Sequence, residues 1–97
     1  MFKELDTVLH SPLRLAIISV LSEVREAEFN FLKQKTKATA GNLSVQINKL
    51  KIVGYIDVTK QFKENYPQTI CKITHQGTDA FKKYEEALQS YFKTKEE

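Results

Sequence analysis

The chain has one cysteine, two prolines and three glycines among 97 residues, and no hydrophobic run approaching the length of a membrane span. A lone thiol, Cys71, forms no internal disulfide and builds no multi-cysteine zinc site, and it suits a reducing cytosol. Cys71 alternates in phase with Ile73, which reads as a core thiol rather than a redox sensor. His10 and His75 sit at predicted helix starts and read as capping or surface residues, so no metal and no cofactor is expected. The three glycines form no phosphate-binding loop, and serine, histidine and aspartate occur in no nucleophile elbow, so no catalysis is expected. A membrane span needs roughly 18 consecutive apolar residues, and the first residues alternate apolar with charged side chains instead of forming a signal-peptide core. A cytoplasmic protein without membrane contact is therefore expected.

What is present suits one small domain over residues 1–97: 41% hydrophobic and 28% charged side chains are too apolar for a disordered chain. A core of this size is marginal, and with no disulfide the usual supplement is a partner chain, so oligomerisation is expected. The net charge of +3 is unevenly spread. Between positions 33 and 63 seven lysines (33, 35, 37, 49, 51, 60 and 63) face one acid, Asp57, for a net +6. The segments on either side carry net −2 and −1. A basic middle third between mildly acidic flanks is the footprint of a domain that meets a polyanion.

Hydrophobic spacing and punctuation divide the chain. Phe2, Leu5, Val8 and Leu9 predict a short helix over about 3–9. Ser11 as cap and Pro12 at the first position open a second helix to about 24, with Leu13, Ala16, Ile17, Val20, Leu21 and Val24 inward. Phe29 and Leu32 mark a third helix, about 30–36. Thr39 caps a fourth, about 40–53, with Leu43, Ile47 and Leu50 on one face and Gly54 as its stop. Two β-branched and aromatic runs, 55–62 and 69–74, surround Lys63-Glu64-Asn65-Tyr66-Pro67-Gln68, which predicts a hairpin with a loop of about six residues. Thr74 caps a last helix, about 75–95, with two apolar stripes: Ala80, Tyr84, Ala87 and Tyr91, and beside them Phe81, Leu88 and Phe92.

The order, α-α-α-α-β-β-α, is mainly α with a β-hairpin and is that of a winged helix-turn-helix. The helix-turn-helix falls at about 29–53, the wing at about 55–74 and a terminal dimerisation helix at about 75–95. The strings that carry a closer likeness are His10-Ser11-Pro12-Leu13-Arg14-Leu15-Ala16-Ile17-Ile18, Thr39-Ala40-Gly41-Asn42-Leu43-Ser44, Lys49-Leu50 with Gly54-Tyr55-Ile56, Pro67-Gln68-Thr69, and Ile73-Thr74 with Gly77. In that order and spacing the chain resembles the small MarR/ArsR-like winged-helix transcriptional regulators of bacteria and archaea. The resemblance implies a dimeric regulator that binds double-stranded DNA at the nucleoid, with its terminal helices in the dimer interface. Two places depart from the pattern. Val45 and Gln46 stand where the group often carries a basic residue followed by His, and Thr36-Lys37-Ala38 replaces a Leu-Gly-Leu type of turn.

A 100° projection of the fourth helix turns Gly41, Val45, Asn48, Lys49 and Ile52 outward, with Asn42 and Ser44 at the flanks. Asn48 has the amide to pair with adenine, Lys49 reaches guanine or phosphate, Val45 meets a thymine methyl, and Gly41 permits close backbone approach. The expected DNA-contacting set is Thr39, Ala40, Gly41, Asn42, Ser44, Val45, Asn48 and Lys49 from this helix, and Lys60, Lys63, Asn65, Tyr66 and Gln68 from the wing. The expected dimer interface is Phe2, Leu5, Leu9, Phe81, Tyr84, Leu88, Tyr91 and Phe92, since two apolar stripes exceed what a monomer of this size exposes. The outward Val45 and Ile52 also fit a second reading, a winged helix that binds protein instead of DNA. The sequence names no operator and no small-molecule effector.

Overall fold

The computed structural model describes residues 1–93. Its first regular element begins at a proline. Pro12 occupies the first turn of α1 (Pro12–Val24), where its missing N–H is not needed. Ser11 contributes its carbonyl, which accepts the Leu15 N–H, and not the side-chain cap expected of it. Arg25, at a positive φ of 78°, ends the helix and turns the chain into a three-residue strand, β1 (Glu26–Glu28). There follow α2 (Phe29–Thr36), α3 (Ala40–Ile52), the hairpin β2 (Ile56–Lys63) and β3 (Tyr66–Ile73), and α4 (His75–Gln89). The three strands form an antiparallel sheet in the order β1-β3-β2.

Four helices and a hairpin give the expected fold class, with differences in the elements that depend on distant partners. The helix expected over 3–9 is absent. Asp6 Oδ1 accepts the N–H groups of Val8 and Leu9 at 2.8 and 3.2 Å, and the His10 N–H returns to the Asp6 carbonyl, so only one turn forms. Residues before it lie against the far end of the chain: Phe2 stacks on Tyr91 at 4.9 Å, the Lys3 N–H donates to Ser90 Oγ, and the Tyr91 hydroxyl donates to the Lys3 carbonyl. β1 was not expected, because Glu-Ala-Glu carries no strand signal and becomes one only by pairing with Ile70, Cys71 and Lys72. The six-residue loop contracts to a two-residue turn: Glu64 and Asn65 take φ of 52° and 69°, the double left-handed geometry of a type I′ hairpin. Finally, α4 ends at Gln89 and is followed by a turn; positions 94 and 95 of the expected helix lie outside the described residues.

One core ties these elements together. It contains Leu9, Ile17, Ile18 and Leu21, then Leu32 of α2, Leu43, Ile47 and Leu50 of α3, Ile56, Cys71 and Ile73 of the sheet, and Tyr84 of α4. Val24, placed inward by spacing, is exposed at the end of α1.

The wing and α4 approach closely at their junction. Gly54, at φ 85°, ends the turn after α3, and its carbonyl accepts the Thr74 hydroxyl at 2.7 Å. The same Thr74 oxygen accepts the Gly77 N–H at 3.0 Å, and the Thr74 N–H donates to the Tyr55 carbonyl. At Gly77 a Cβ would stand 2.2 Å from the Tyr55 carbonyl oxygen, a separation no side chain tolerates. Gly77→Ala should therefore lower the unfolding free energy by about 1–3 kcal/mol, the scale of overpacking. Gly41→Ala, with nothing within 4 Å of the added methyl, serves as control. Urea denaturation that found both variants equally stable would refute the close-approach argument.

Candidate nucleic-acid interface

α3 owes its start to Thr39, whose hydroxyl oxygen accepts the Asn42 N–H at 3.2 Å. Its position is fixed on two sides. Inward, Leu43, Ile47 and Leu50 are buried; laterally, Gln46 is held by Arg14 of α1 at 2.5 Å and itself donates to Asn42 Oδ1 at 3.1 Å. Arg14 also donates from Nε to the Val8 carbonyl, so one guanidinium ties the N-terminal turn to α3. Gln46, which stands where the resembled group often has histidine, is thus a structural tie in this chain. At the preceding turn Lys37 adopts the left-handed conformation, φ 59° and ψ 27°, at the place where that group usually has glycine. A side chain there costs about 1 kcal/mol relative to glycine.

Every helical residue expected to contact DNA is solvent-exposed: Thr39, Ala40, Gly41, Asn42, Ser44, Val45, Asn48 and Lys49. Ser44, Val45 and Asn48 line a cleft of about 560 Å³ between α3 and the sheet, shared with Lys51, Phe29, Val58, Lys60 and Thr69. Lys49 lies on the other flank, beside Thr7, Val8, Arg14 and Ile52. Lys51 and Thr69 were not among the expected site residues; their signal was available for Lys51, one helical turn beyond Ile47 on the wing-facing flank.

The wing residues also divide, because side chains alternate across a strand. Lys60 pairs with Thr69 and shares the α3 side of the sheet with Ile56, Val58 and Cys71. Lys63 and Gln68 lie on the opposite face with Gln61, in a cleft bounded by Val24, Glu26, Glu28 and Phe31. Asn65 sits in the turn, and Tyr66 pairs with Lys63. Expected as loop residues, Lys63, Tyr66 and Gln68 belong to strands. Phe62, at 78% exposure on the α3 side, was not among the expected site residues.

At the chain ends, Leu9 and Tyr84, expected at a dimer interface, are buried in their own chain's core, where Tyr84 Oη also meets His10 Nδ1 at 2.9 Å. The accessible members of that set are Phe2, Tyr91 and Phe92, with Leu5, Phe81 and Leu88 half-buried. Among the described residues no group of three or more His, Cys, Asp or Glu could hold a metal ion, and no helix is long and apolar enough to cross a membrane.

The family model for a winged helix DNA-binding domain matches residues 13–92, from α1 through the turn after α4. The chain belongs to that family. A curated relative, an uncharacterised protein of Methanocaldococcus jannaschii, is 36% identical over 77 residues, covering 79% of this chain and 84% of the relative. A transcriptional regulator homologue of Pyrococcus horikoshii superposes with a TM-score of 0.84 at 28% identity, over 90% of this chain and 86% of that one. A MepR-like protein solved with pseudoligands superposes with a TM-score of 0.72 at 17% identity, over 89% of this chain and 63% of that one. The fold of this winged-helix protein is that of the MarR-like regulators.

One group in the winged-helix core and one packed against it are held neutral. Burial pushes the Cys71 thiol from 9.0 up to about 11. Burial, with the hydrogen bond to Asp6 Oδ2 at 2.5 Å and the Asp6 charge, pushes the Tyr55 phenol from 10.0 up to about 12. In this range the folded chain holds protons that the unfolded chain has lost, so the stability both groups contribute is complete below about pH 9 and falls as pH rises towards 12. The melting temperature should therefore decline across that window, and Tyr55→Phe should flatten the part above about pH 10. A melting temperature constant from neutral pH to about 11.5 would count against both shifts.

Proposed function

We propose that the chain is a sequence-specific double-stranded DNA-binding transcriptional regulator, that it acts as a homodimer, and that it performs no catalysis. The observation that carries this reading is the cleft where α3 and the wing meet. There Ser44, Val45 and Asn48 stand beside Lys51 and Lys60, side chains that read base edges next to side chains that neutralise phosphates. α3 would lie in the major groove, with Asn48 at an adenine edge, Val45 at a thymine methyl and Gly41 close to the backbone at the helix start. Thr39, Ala40, Asn42 and Lys49 would meet the flanking phosphates. The wing would reach the adjacent backbone through Lys60, with Lys63, Asn65, Tyr66 and Gln68 around its tip. In a bacterial or archaeal cell such a protein works in the cytoplasm at the nucleoid.

One observation favours a second reading. Val45 and Ile52, at 52% and 74% exposure, give the outward face of α3 an apolar character that suits a protein partner. Salt and sequence dependence separate the two. Lys60→Ala should weaken binding to every duplex alike and lower the salt slope by about one unit. Asn48→Ala should cost about 1–3 kcal/mol on a selected site, far less on random DNA, and leave the slope unchanged. Fluorescence anisotropy on both duplexes at several salt concentrations measures this; absence of duplex binding at about 50 mM salt would favour the protein-binding reading.

The dimer would form through the chain ends, where Phe2 stacks on Tyr91, Phe92 is exposed, and Phe81 and Leu88 are half-buried. A two-fold axis there would bring two α3 helices to half-sites one helical turn apart. Sedimentation at low micromolar concentration should give twice the 11.2 kDa of the chain, and Phe92→Glu should shift the population towards monomer. A wild-type protein that sediments as a monomer would exclude this arrangement.

A further inference from the structure

We propose that Phe62 is an apolar wedge that enters between base pairs from the minor groove and kinks the duplex, an inference that rests on the DNA-binding reading above. Phe62 lies one residue from the end of β2 and remains 78% exposed. An aromatic ring so exposed at the wing tip serves no core of its own chain. Strand alternation puts it on the same side of the sheet as Lys60, which lines the cleft shared with Asn48. Two further residues of strand carry it about 7 Å beyond Lys60 along the wing.

The residue opposite is a proline, whose ring fixes its own φ. Lys63 and Tyr66 close the two-residue hairpin, and such a closing pair is hydrogen-bonded; the next pair, Phe62 and Pro67, is then of the non-hydrogen-bonded type, with its Cα atoms about 4.5 Å apart. Pro67 thus removes no β2–β3 hydrogen bond, and β1, whose last paired residue is Glu28 opposite Ile70, does not extend to it. The result is a phenyl ring beside a pyrrolidine ring next to a two-residue turn, with ammonium groups at Lys60 and Lys63 on either side of the phenylalanine in sequence. A partner that matches has an apolar gap between anionic rims. A partly unstacked base step, walled by phosphates on both strands, has that character, and Phe and Pro are among the side chains that occupy it.

A wedge of this kind selects for deformable steps, since unstacking is easiest at pyrimidine–purine steps and hardest in A-tracts. The test uses two duplexes of about 30 base pairs and equal composition, one with central TA steps and one with an unbroken A-tract, carrying a fluorophore pair at their ends. The wild-type protein should shorten the end-to-end distance of the TA duplex and bind it about tenfold more tightly than the A-tract, the scale of one disfavoured step. Phe62→Ala should abolish the shortening and the preference while leaving the salt slope and the melting temperature unchanged. Phe62→Leu, still an apolar wedge, should keep most of both. If the wild-type protein binds with a steep salt dependence but without shortening, or if Phe62→Ala bends DNA as the wild type does, the wedge is overturned and the DNA-binding reading stands. If the wild type binds neither duplex at about 50 mM salt, both fall together.

Discussion

The placement of the wing between α3 and α4 of this winged-helix chain depends on one hydroxyl group. Thr74 Oγ donates to the Gly54 carbonyl and accepts from the Gly77 N–H, so a single atom closes the turn after α3 and opens α4. The Thr74 N–H adds a bond to the Tyr55 carbonyl, and the absence of a Cβ at Gly77 lets that carbonyl approach the helix. Both ends of the hairpin are thereby pinned at the same place. The orientation of the wing relative to α3 follows from this knot, and so does the cleft in which Asn48, Lys51 and Lys60 are neighbours.

What local chemistry dictates was legible in the sequence. The inward stripe of α3, the caps Thr39 and Thr74, the stop at Gly54 and the proline at the head of α1 depend on residues within one or two helical turns, and spacing alone exposes them. The N-terminal segment shows where this reasoning ends. Phe2, Leu5, Val8 and Leu9 have helical spacing, yet Phe2 finds its ring partner in Tyr91 and Lys3 its hydrogen bonds in Ser90 and Tyr91. Contacts across nearly the full length of the chain override a weak local preference. β1 is the converse case, a strand with no propensity of its own that exists because β3 offers it an edge.

The candidate interface was legible as a set of residues and not as a surface. A 100° projection separates inside from outside on α3, but it does not say which outward residues look towards the wing. Ser44, Val45 and Asn48 do, whereas Lys49 looks towards the N-terminal turn. Likewise a basic, amide-rich hairpin announces itself in composition, while the division of Lys60 from Lys63 across the sheet requires the strand register. Leu9 and Tyr84 were assigned to an intermolecular face because apolar stripes do not reveal whose core they enter.

The two-residue turn at Glu64 and Asn65 has one more consequence. Because side chains on a strand repeat with period two, slipping β2 by a single residue against β3 would carry Lys60 and Phe62 to the far side of the sheet and bring Gln61 and Lys63 round to face α3. Glu64 and Asn65 need touch nothing to matter in this way. Their left-handed backbone sets the register, and the register decides which half of the wing's chemistry stands beside α3. Changes confined to these two positions could re-specify the contact surface of the protein while leaving every residue of that surface in place.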